Sequence, residues 1–175
     1  MNIFFLSRNA QTAARYQCDK HVVKMVLESA QMLSTVAHKH KYVNTPGIYK
    51  PSYENHPMTL WVDTHKNNYL WLCEHGLALS SEYTNRYGKV HKSEKLIQTL
   101  HDLCKSFFTF GGGEPDSKFI TPPPLCMPDE FKEKDYVESY RKYYKDKIYS
   151  WETTPRWHGI AIEKQFYSGP IHPLR

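Results

Sequence analysis

A periodic segment near the start of the chain spans residues 11–40 and reads QTAARYQCDKHVVKMVLESAQMLSTVAHKH. Its apolar positions recur at steps of three and four residues, which is the spacing of one face of an α-helix. No Gly or Pro interrupts the pattern. We therefore predict one long helix over residues 11–40, which Ser7 or Asn9 would cap. The apolar residues 2–6 favour a short strand or an extended segment before it.

Three further helices are expected downstream of this segment. They are predicted over residues 58–87, 93–108 and roughly 128–149. The first of these would start at Pro57 and stop at Gly88, and its Gly76 indicates a close contact with another helix. A loop rich in Gly and Pro fills residues 109–130. The sequence thus predicts an all-α, single-domain bundle of about four main helices over residues 1–175, with one long Gly/Pro-rich loop.

The composition favours a globular domain with an anionic partner. The 175 residues carry a net charge of +5, and 14% of them are aromatic, including 13 Tyr and four Trp. Cations interleaved with aromatic side chains are typical of nucleic-acid or nucleotide binding. No apolar run has the length of a membrane span or a signal peptide. The four Cys include no CxxC pair, so we expect reduced thiols and a cytoplasmic protein rather than a zinc site.

A polar ridge interrupts the apolar character of the first predicted helix. His21, Lys24 and Glu28 follow one another at i, i+3 and i+7, so they lie on one face. A carboxylate beside an apolar face loses hydration, and Lys24 is the cation placed to compensate. Two interpretations are open: a partly solvated ion-pair surface, or an acid/base site at the floor of a cleft. Lys20 and Gln31 flank the ridge and would contact a ligand there.

The segment that carries this ridge also carries a resemblance. Residues 18–28, CDKHVVKMVLE, resemble the first-helix signature of the phage pyrimidine-dimer DNA glycosylase/AP-lyase family, the endonuclease V type. That signature has an Asp-x-His start, here Asp19 to His21, and a Glu seven residues after the His. The similarity extends to residues 59–63 and to the basic, Tyr-rich residues 140–144. The chain also resembles uncharacterised proteins of large phages, which assigns no activity.

The resemblance implies an all-α domain that binds damaged duplex DNA and flips a base out of the helix. It makes Glu28 the counterpart of the family's catalytic carboxylate and His21 that of its helix-borne histidine. In the family, the α-amine of the mature N-terminus attacks the sugar C1′ and forms a Schiff base, while the Glu stabilises charge and moves protons. An α-amino group is suited to this task because it titrates near pH 8.

The chain departs from the family pattern at three positions. Asn2 is large, so we expect Met1 to be retained, whereas the family exposes a small residue. Leu27 and Gln31 stand where the family has Arg. Activation of water by Glu28, or the use of Lys24 as the attacking amine, are therefore alternatives to attack by the terminal amine.

Further polar and aromatic residues are candidates for contacts with DNA or another ligand. Each also has a structural interpretation, as part of a packed core, a solvated loop or an amphipathic helix face. We expect the residues of the second helix to meet the ridge across a groove, and those of the turn and of the fourth helix to contact phosphates and bases. The candidates are His56, His65 and Asn68 in and before the second helix; Arg86, Lys89, His91 and Lys92 at the following turn; Arg141, Tyr144 and Lys145 in the fourth helix; and Arg156 and Trp157 in the tail.

These observations predict a DNA-acting enzyme like an N-glycosylase, for repair or for processing of modified bases. Glu28 would be the general acid/base or charge stabiliser, with His21 and Lys24 as its catalytic partners. The alternatives are a non-enzymatic module that binds nucleic acid or a nucleotide, or a phage protein-interaction factor. We expect no cofactor and no metal, damaged or modified DNA as the partner, a monomer, and the host cytoplasm if the protein is phage-encoded.

Overall fold

The computed structural model describes residues 2–107 and 119–158, and all regular structure in these ranges is helical. Six α-helices and one short 3-10 helix (Asp129–Phe131) are present, without any strand in the described ranges. The α-helices are α1 (Ala10–Arg15), α2 (Asp19–Lys39), α3 (Pro57–Thr64), α4 (Lys66–Tyr87), α5 (Glu94–Phe107) and α6 (Tyr136–Tyr149). The all-α prediction is confirmed, and a strand over residues 2–6 is excluded. None of the described helices is both long enough and apolar enough to cross a bilayer.

The first predicted helix is two helices, because the chain is extended at Cys18. Asn9 caps α1 through its side chain, as expected for one of the two candidates. The Cys18 backbone N–H donates to the Tyr144 hydroxyl of α6 at 2.9 Å instead of to a helical carbonyl. The Gln17 carbonyl accepts from Arg86 of α4. Contacts with distant elements thus outweigh the local helical pattern, and the prediction of one unbroken helix is wrong.

The second predicted helix is also divided, at His65, whose backbone is extended. The start was predicted correctly: Pro57 occupies the first turn, and the His56 ring accepts from the Met58 N–H. The buried Asn68 amide donates to the Trp61 carbonyl at the end of α3 and to the Thr121 hydroxyl. This side chain satisfies a carbonyl that the broken helix leaves without a helical partner.

The ends of the remaining helices follow ordinary capping rules. Gly88 ends α4 in the left-handed region at φ 64°, as predicted. The fourth predicted helix starts at Tyr136 and not near residue 128, because the Asp135 carboxylate caps it by accepting from two backbone N–H groups. Residues 119–128 of the predicted loop contain no regular structure, while residues 108–118 lie outside the described part of the chain.

The N-terminal segment runs through the core and thereby positions the start of the chain. Residues 3–6 are almost fully buried. The Phe5 ring stacks on Trp71 of α4 at 4.6 Å and meets Tyr140 of α6 at 5.4 Å. α2 packs against α3, α4 and α5. Because this apolar segment is held between α4 and α6, Asn2 and Phe4 come to lie beside α2.

Gly76 lets α4 approach α2 and α5 closely. A Cβ at this position would lie 3.0 Å from Ile97 Cδ1 and 3.3 Å from Ser29 Cβ. In Gly76→Ala, the overpacking penalty of about 1–3 kcal/mol exceeds the gain of about 1 kcal/mol in helix propensity. We expect urea unfolding to show a net destabilisation of about 1 kcal/mol. Ser81→Ala on the exposed side of α4 is the control and should leave stability unchanged or slightly raised; equal effects at the two positions would contradict the close contact.

Candidate active site

A small polar pocket lies on α2 at the ridge identified in the sequence. Its volume is about 250 Å³, which suits one ring-sized group better than a larger ligand. Five separate parts of the chain build its wall: the N-terminal segment, α2, the residue before α3, the extended segment after α5, and α6. The lining residues are Asn2, Phe4, His21, Lys24, Met25, Glu28, His56, Cys126, Tyr143 and Lys147.

Among the described residues that line this pocket, Glu28 is the only carboxylate. Its side chain is only 12% exposed, whereas that of Lys24 is 66% exposed. Lys24 Nζ lies 3.2 Å from Glu28 Oε1, an i,i+4 ion pair with its cation on the solvent side. The structure therefore holds a largely desolvated carboxylate that keeps one ion pair and faces the pocket.

His21 lies almost entirely below the surface, against three aromatic rings. Its ring centroid is 4.8 Å from that of Phe4, 5.0 Å from Tyr144 and 5.1 Å from Trp151. Its Nδ1 is 2.8 Å from the Tyr144 hydroxyl. Burial, followed by the charges of Lys147, Lys24 and Lys20, lowers the pKa of His21 to about 3. The imidazole is therefore neutral at physiological pH.

This lowered pKa predicts that acid destabilises the protein. Below about pH 6.5 the unfolded chain protonates the His21 imidazole while the folded protein does not, until pH falls to about 3. The free energy of unfolding should decrease by about 1.4 kcal/mol per pH unit across that window from this group. Urea unfolding over a pH series should show a shallower slope for His21→Gln than for the wild type. Parallel slopes would contradict a buried neutral His21.

The Arg86 guanidinium is not accessible to a DNA phosphate, contrary to the sequence prediction. Its side chain is fully buried, although it belongs to the last turn of α4 before an exposed turn. The guanidinium donates to the Gln17 carbonyl at 2.8 Å, and it pairs with Asp19 at 3.1 Å and Glu82 at 3.0 Å. The contacts with Gln17 and Asp19 hold α4 to the start of α2, whereas the pair with Glu82 lies within α4. The other basic residues of that turn, Lys89 and Lys92, are exposed as a DNA contact requires.

His91 of the same turn lies against α2. Burial lowers the pKa of His91, and the nearby Val23 backbone partly opposes the shift. The side of α5 that faces this turn forms an open groove of about 550 Å³, which His91 and Lys92 also line. The turn thus adjoins α2, but none of its residues lines the Glu28 pocket.

Gln31, predicted to contact a ligand at the ridge, is half-buried on α2 and does not line the Glu28 pocket.

The prediction that His65 and Asn68 meet the ridge across a groove is wrong. Neither residue lines the Glu28 pocket. Asn68 is fully buried, its amide bonds Trp61 and Thr121 as described above, and its Oδ1 accepts from the Thr121 N–H. His65 is the extended residue between α3 and α4. Both residues shape the helix break. His56, in contrast, does line the pocket.

The candidates in α6 and the tail have mainly structural contacts. Arg141 Nε donates to the Leu6 carbonyl at 2.9 Å, and Lys145 is half-buried. Arg156 is exposed, but its carbonyl accepts from the Asp19 N–H, and Trp157 Nε1 donates to the Tyr16 carbonyl. Tyr144 is fully buried beneath His21, where no DNA base could reach it. Lys20 Nζ lies 4.4 Å from the centroid of the Trp151 ring.

The sequence interpretation missed six residues of the pocket wall. One of them, Met25, was assigned to the apolar face of the first helix. Asn2, Phe4 and Cys126 come from segments without helical periodicity, so no local pattern indicates where they lie. Tyr143 and Lys147 are different, because they are four residues apart on α6 and therefore share one face. Their common face was a usable signal. Within residues 2–107 and 119–158, no three His, Cys, Asp or Glu side chains are grouped as metal ligands.

The fold and the pocket define an all-helical protein, over the residues that the structure describes, with a largely buried carboxylate on its first long helix. A family model described as pyrimidine dimer DNA glycosylase matches residues 1–96, more than half of the 175 residues. The chain belongs to the pyrimidine dimer DNA glycosylase family. No curated protein and no solved structure matches it. The matched range contains Glu28, His21, Lys24 and His56, whereas Cys126 and the α6 residues of the pocket lie outside it.

Membership of this family supports a general role as a DNA glycosylase in DNA repair, with DNA as the substrate.

Proposed function

We propose that this protein cleaves the N-glycosidic bond of a damaged pyrimidine nucleotide in duplex DNA, with Glu28 as its catalytic carboxylate. The observation that carries the proposal is the position of Glu28. It is largely desolvated and paired with Lys24, in a ring-sized pocket that the N-terminal segment helps to form. A carboxylate in such a place can stabilise positive charge on a sugar or move a proton, because little water screens it.

The proposed chemistry begins with attack of an amine nitrogen on the sugar C1′. The new N–C1′ bond forms as the bond from C1′ to the base breaks, and the base nitrogen takes the electron pair and a proton. The attacking nitrogen then loses a proton to Glu28. The C1′–O4′ bond opens, O4′ takes the electron pair of that bond and the proton held by Glu28, and the nitrogen forms a double bond to C1′, which gives an iminium, the Schiff base. Glu28 would stabilise the developing charge at C1′ and accept a proton from the amine. The lyase step of the family would follow from this intermediate.

The terminal amine is the proposed nucleophile. Met1 lies outside the described residues, but Asn2, its neighbour in sequence, lines the pocket with Glu28. An α-amino group titrates near pH 8 and a lysine near 10.4, so the α-amine has the larger unprotonated fraction at neutral pH. Lys24 is the poorer candidate because its Nζ is engaged in an ion pair with Glu28 at 3.2 Å.

Reduction with borohydride tests this proposal on the intact protein. A duplex with one pyrimidine dimer should give a covalent protein–DNA adduct, and an undamaged duplex should give none. Mass spectrometry of the adduct should locate it on the α-amine. Glycosidic cleavage without an adduct would contradict the amine step, an adduct on Lys24 or Lys147 would contradict the choice of amine, and the absence of both cleavage and adduct would contradict the function.

Lys89 and Lys92 are the proposed phosphate contacts outside the pocket. They are exposed on the turn next to α2, and His91 between them lies against Val23. Replacing each lysine by Ala should reduce the slope of log K against log salt by about 1, because one phosphate contact is lost. Lys39→Ala is the control: that lysine pairs with Asp63 near the other end of α2. Fluorescence anisotropy over a salt series measures the slopes, and equal slopes for all three variants would contradict this interface.

A further inference from the structure

Each of the two histidines in the pocket has its Nδ1 in a hydrogen bond within the protein. His21 Nδ1 is 2.8 Å from the Tyr144 hydroxyl, and His56 Nδ1 is 3.1 Å from the Met58 backbone nitrogen. Neither Nε2 has a hydrogen-bond partner among residues 2–107 and 119–158. The chemistry that each ring offers to the pocket therefore depends on which of its nitrogens carries the proton.

For His56, the Met58 bond decides the tautomer. A backbone N–H can only donate, so His56 Nδ1 must accept and cannot carry a proton. Burial lowers the pKa of His56, and the negative charge of Glu28 opposes this shift without reversing it. A neutral imidazole whose Nδ1 accepts has its proton on Nε2. His56 is thus an Nε2–H donor.

For His21, the geometry of Tyr144 leads to the same tautomer. The Cys18 N–H donates to the Tyr144 oxygen at 2.9 Å, so that oxygen is already an acceptor. Among the described residues, His21 Nδ1 at 2.8 Å and Cys18 Sγ at 3.5 Å are acceptors for the hydroxyl proton. The hydrogen bond to His21 Nδ1 is the shorter and stronger of the two, since thiol sulfur is a weak acceptor. Because His21 is neutral, its proton then resides on Nε2.

We propose that His21 and His56 serve as fixed, neutral Nε2–H donors to oxygen atoms of the damaged nucleotide, and that Tyr144 is the positioning residue that sets the His21 tautomer. This inference rests on the proposed function for the identity of the ligand. In this arrangement His21 donates a hydrogen bond and does not act as a base. Glu28 is then the proton acceptor of the described pocket wall. Oxygen acceptors of two kinds would fit these donors: the carbonyls of a pyrimidine and the oxygens of the sugar–phosphate backbone.

NMR of the full chain, labelled with ¹⁵N in its histidines, tests the tautomers directly. Long-range ¹H–¹⁵N spectra at neutral pH should show His21 and His56 with a protonated Nε2 and an unprotonated Nδ1. In Tyr144→Phe, His21 should lose this fixed pattern while His56 keeps it. An Nδ1–H tautomer or an imidazolium for His21 in the wild type would overturn the proposal, even if the variant fails to fold.

A pair of His21 variants tests what the donor binds. The Gln amide offers an N–H group near the position of Nε2, whereas Leu offers none. Dissociation constants for a dimer-containing duplex should rise on the order of tenfold in His21→Leu and clearly less in His21→Gln. Equal losses would overturn the donor role. An abasic-site duplex identifies the acceptor: unchanged affinity in His21→Leu points to pyrimidine carbonyls, and an equal loss points to sugar–phosphate oxygens.

The outcome of these experiments is independent of whether the proposed function is correct. The histidine tautomers are measured without DNA, so they would stand even if the protein did not cleave any glycosidic bond. Conversely, dimer cleavage with His21 in the Nδ1–H form would leave the proposed function intact and remove only this inference.

Discussion

Replacing Glu28 by Gln is expected to lower the rate of glycosidic cleavage by about 10²–10⁴-fold, the usual contribution of a positioned acid/base group. The substitution keeps the shape of the side chain and removes its charge. The resulting amide can neither stabilise positive charge at C1′ nor accept a proton. The ion pair with Lys24 is lost, but Lys24 is already largely solvated, so stability should change little. Single-turnover cleavage of a dimer-containing duplex measures the rate.

The control for this variant is Glu133→Gln. Glu133 pairs with Lys142 at 2.8 Å on the surface, so this substitution also breaks a Lys–Glu pair, but away from the pocket. It should cleave like the wild type. Both variants should unfold at wild-type urea concentrations and bind the duplex with wild-type affinity. Cleavage by Glu28→Gln within a few-fold of the wild type would remove Glu28 from the catalytic role.

Replacing Arg86 by Ala is expected to destabilise the protein by about 3–5 kcal/mol, the typical effect of breaking a buried ion pair. The fully buried guanidinium pairs with Asp19 and Glu82 and donates to the Gln17 carbonyl. The variant leaves both carboxylates without this cation. It also loosens the junction between α1 and α2, because Gln17 belongs to that junction. Urea unfolding with a two-state fit measures the loss.

Arg15→Ala is the matched control for Arg86→Ala. Arg15 is exposed at the end of α1, so its truncation should change stability by about 0.5 kcal/mol or less. The two interpretations of Arg86 predict opposite results. A phosphate contact would give Arg86→Ala a weaker affinity for DNA and a stability near that of the wild type. The buried network gives a large loss of stability.

The contrast between Arg86 and the ridge shows what the sequence could reveal. The spacing of His21, Lys24 and Glu28 fixes a common helical face, so local periodicity placed these three side chains together correctly. Arg86 belongs to a similarly clear cluster of basic residues. Its partner Asp19, however, lies 67 positions earlier in the chain. No local pattern distinguishes a cation that is paired at such a distance from one that is solvated.

The two helix breaks have the same physical origin. Residues 11–40 have a continuous helical pattern, but the Cys18 N–H bonds to Tyr144, which is 126 positions away. At His65, the Thr121 hydroxyl and N–H complete the bonds of Asn68 from a distance of 53 positions. Tertiary hydrogen bonds compensate for the helical hydrogen bonds lost at these breaks. They join residues that are distant in the chain, so they can be identified only once the packing of the helices is known. The class of fold does not depend on them, since it follows from the amphipathic pattern of each segment.

The α6 side of the pocket could be predicted from the sequence in part. Tyr140, Tyr144 and Ile148 are buried at intervals of four residues, so the inner face of α6 is readable as a stripe. Tyr143 and Lys147 are each one residue before a member of that stripe, at its border. The sequence therefore indicates that these two share a face, but not that the face meets Glu28. That meeting depends on how Phe5 and Tyr140 pack in the core.

The most direct measurement of the central claim is single-turnover incubation of the intact protein with a duplex that contains one pyrimidine dimer at a defined position. Glycosidic cleavage is detected as an alkali-labile break. The account predicts a break at the dimer with the wild type and with Glu133→Gln, a loss of at least about 100-fold with Glu28→Gln, and no break in an undamaged duplex. Folded wild-type protein that binds the damaged duplex and leaves every glycosidic bond intact would contradict it.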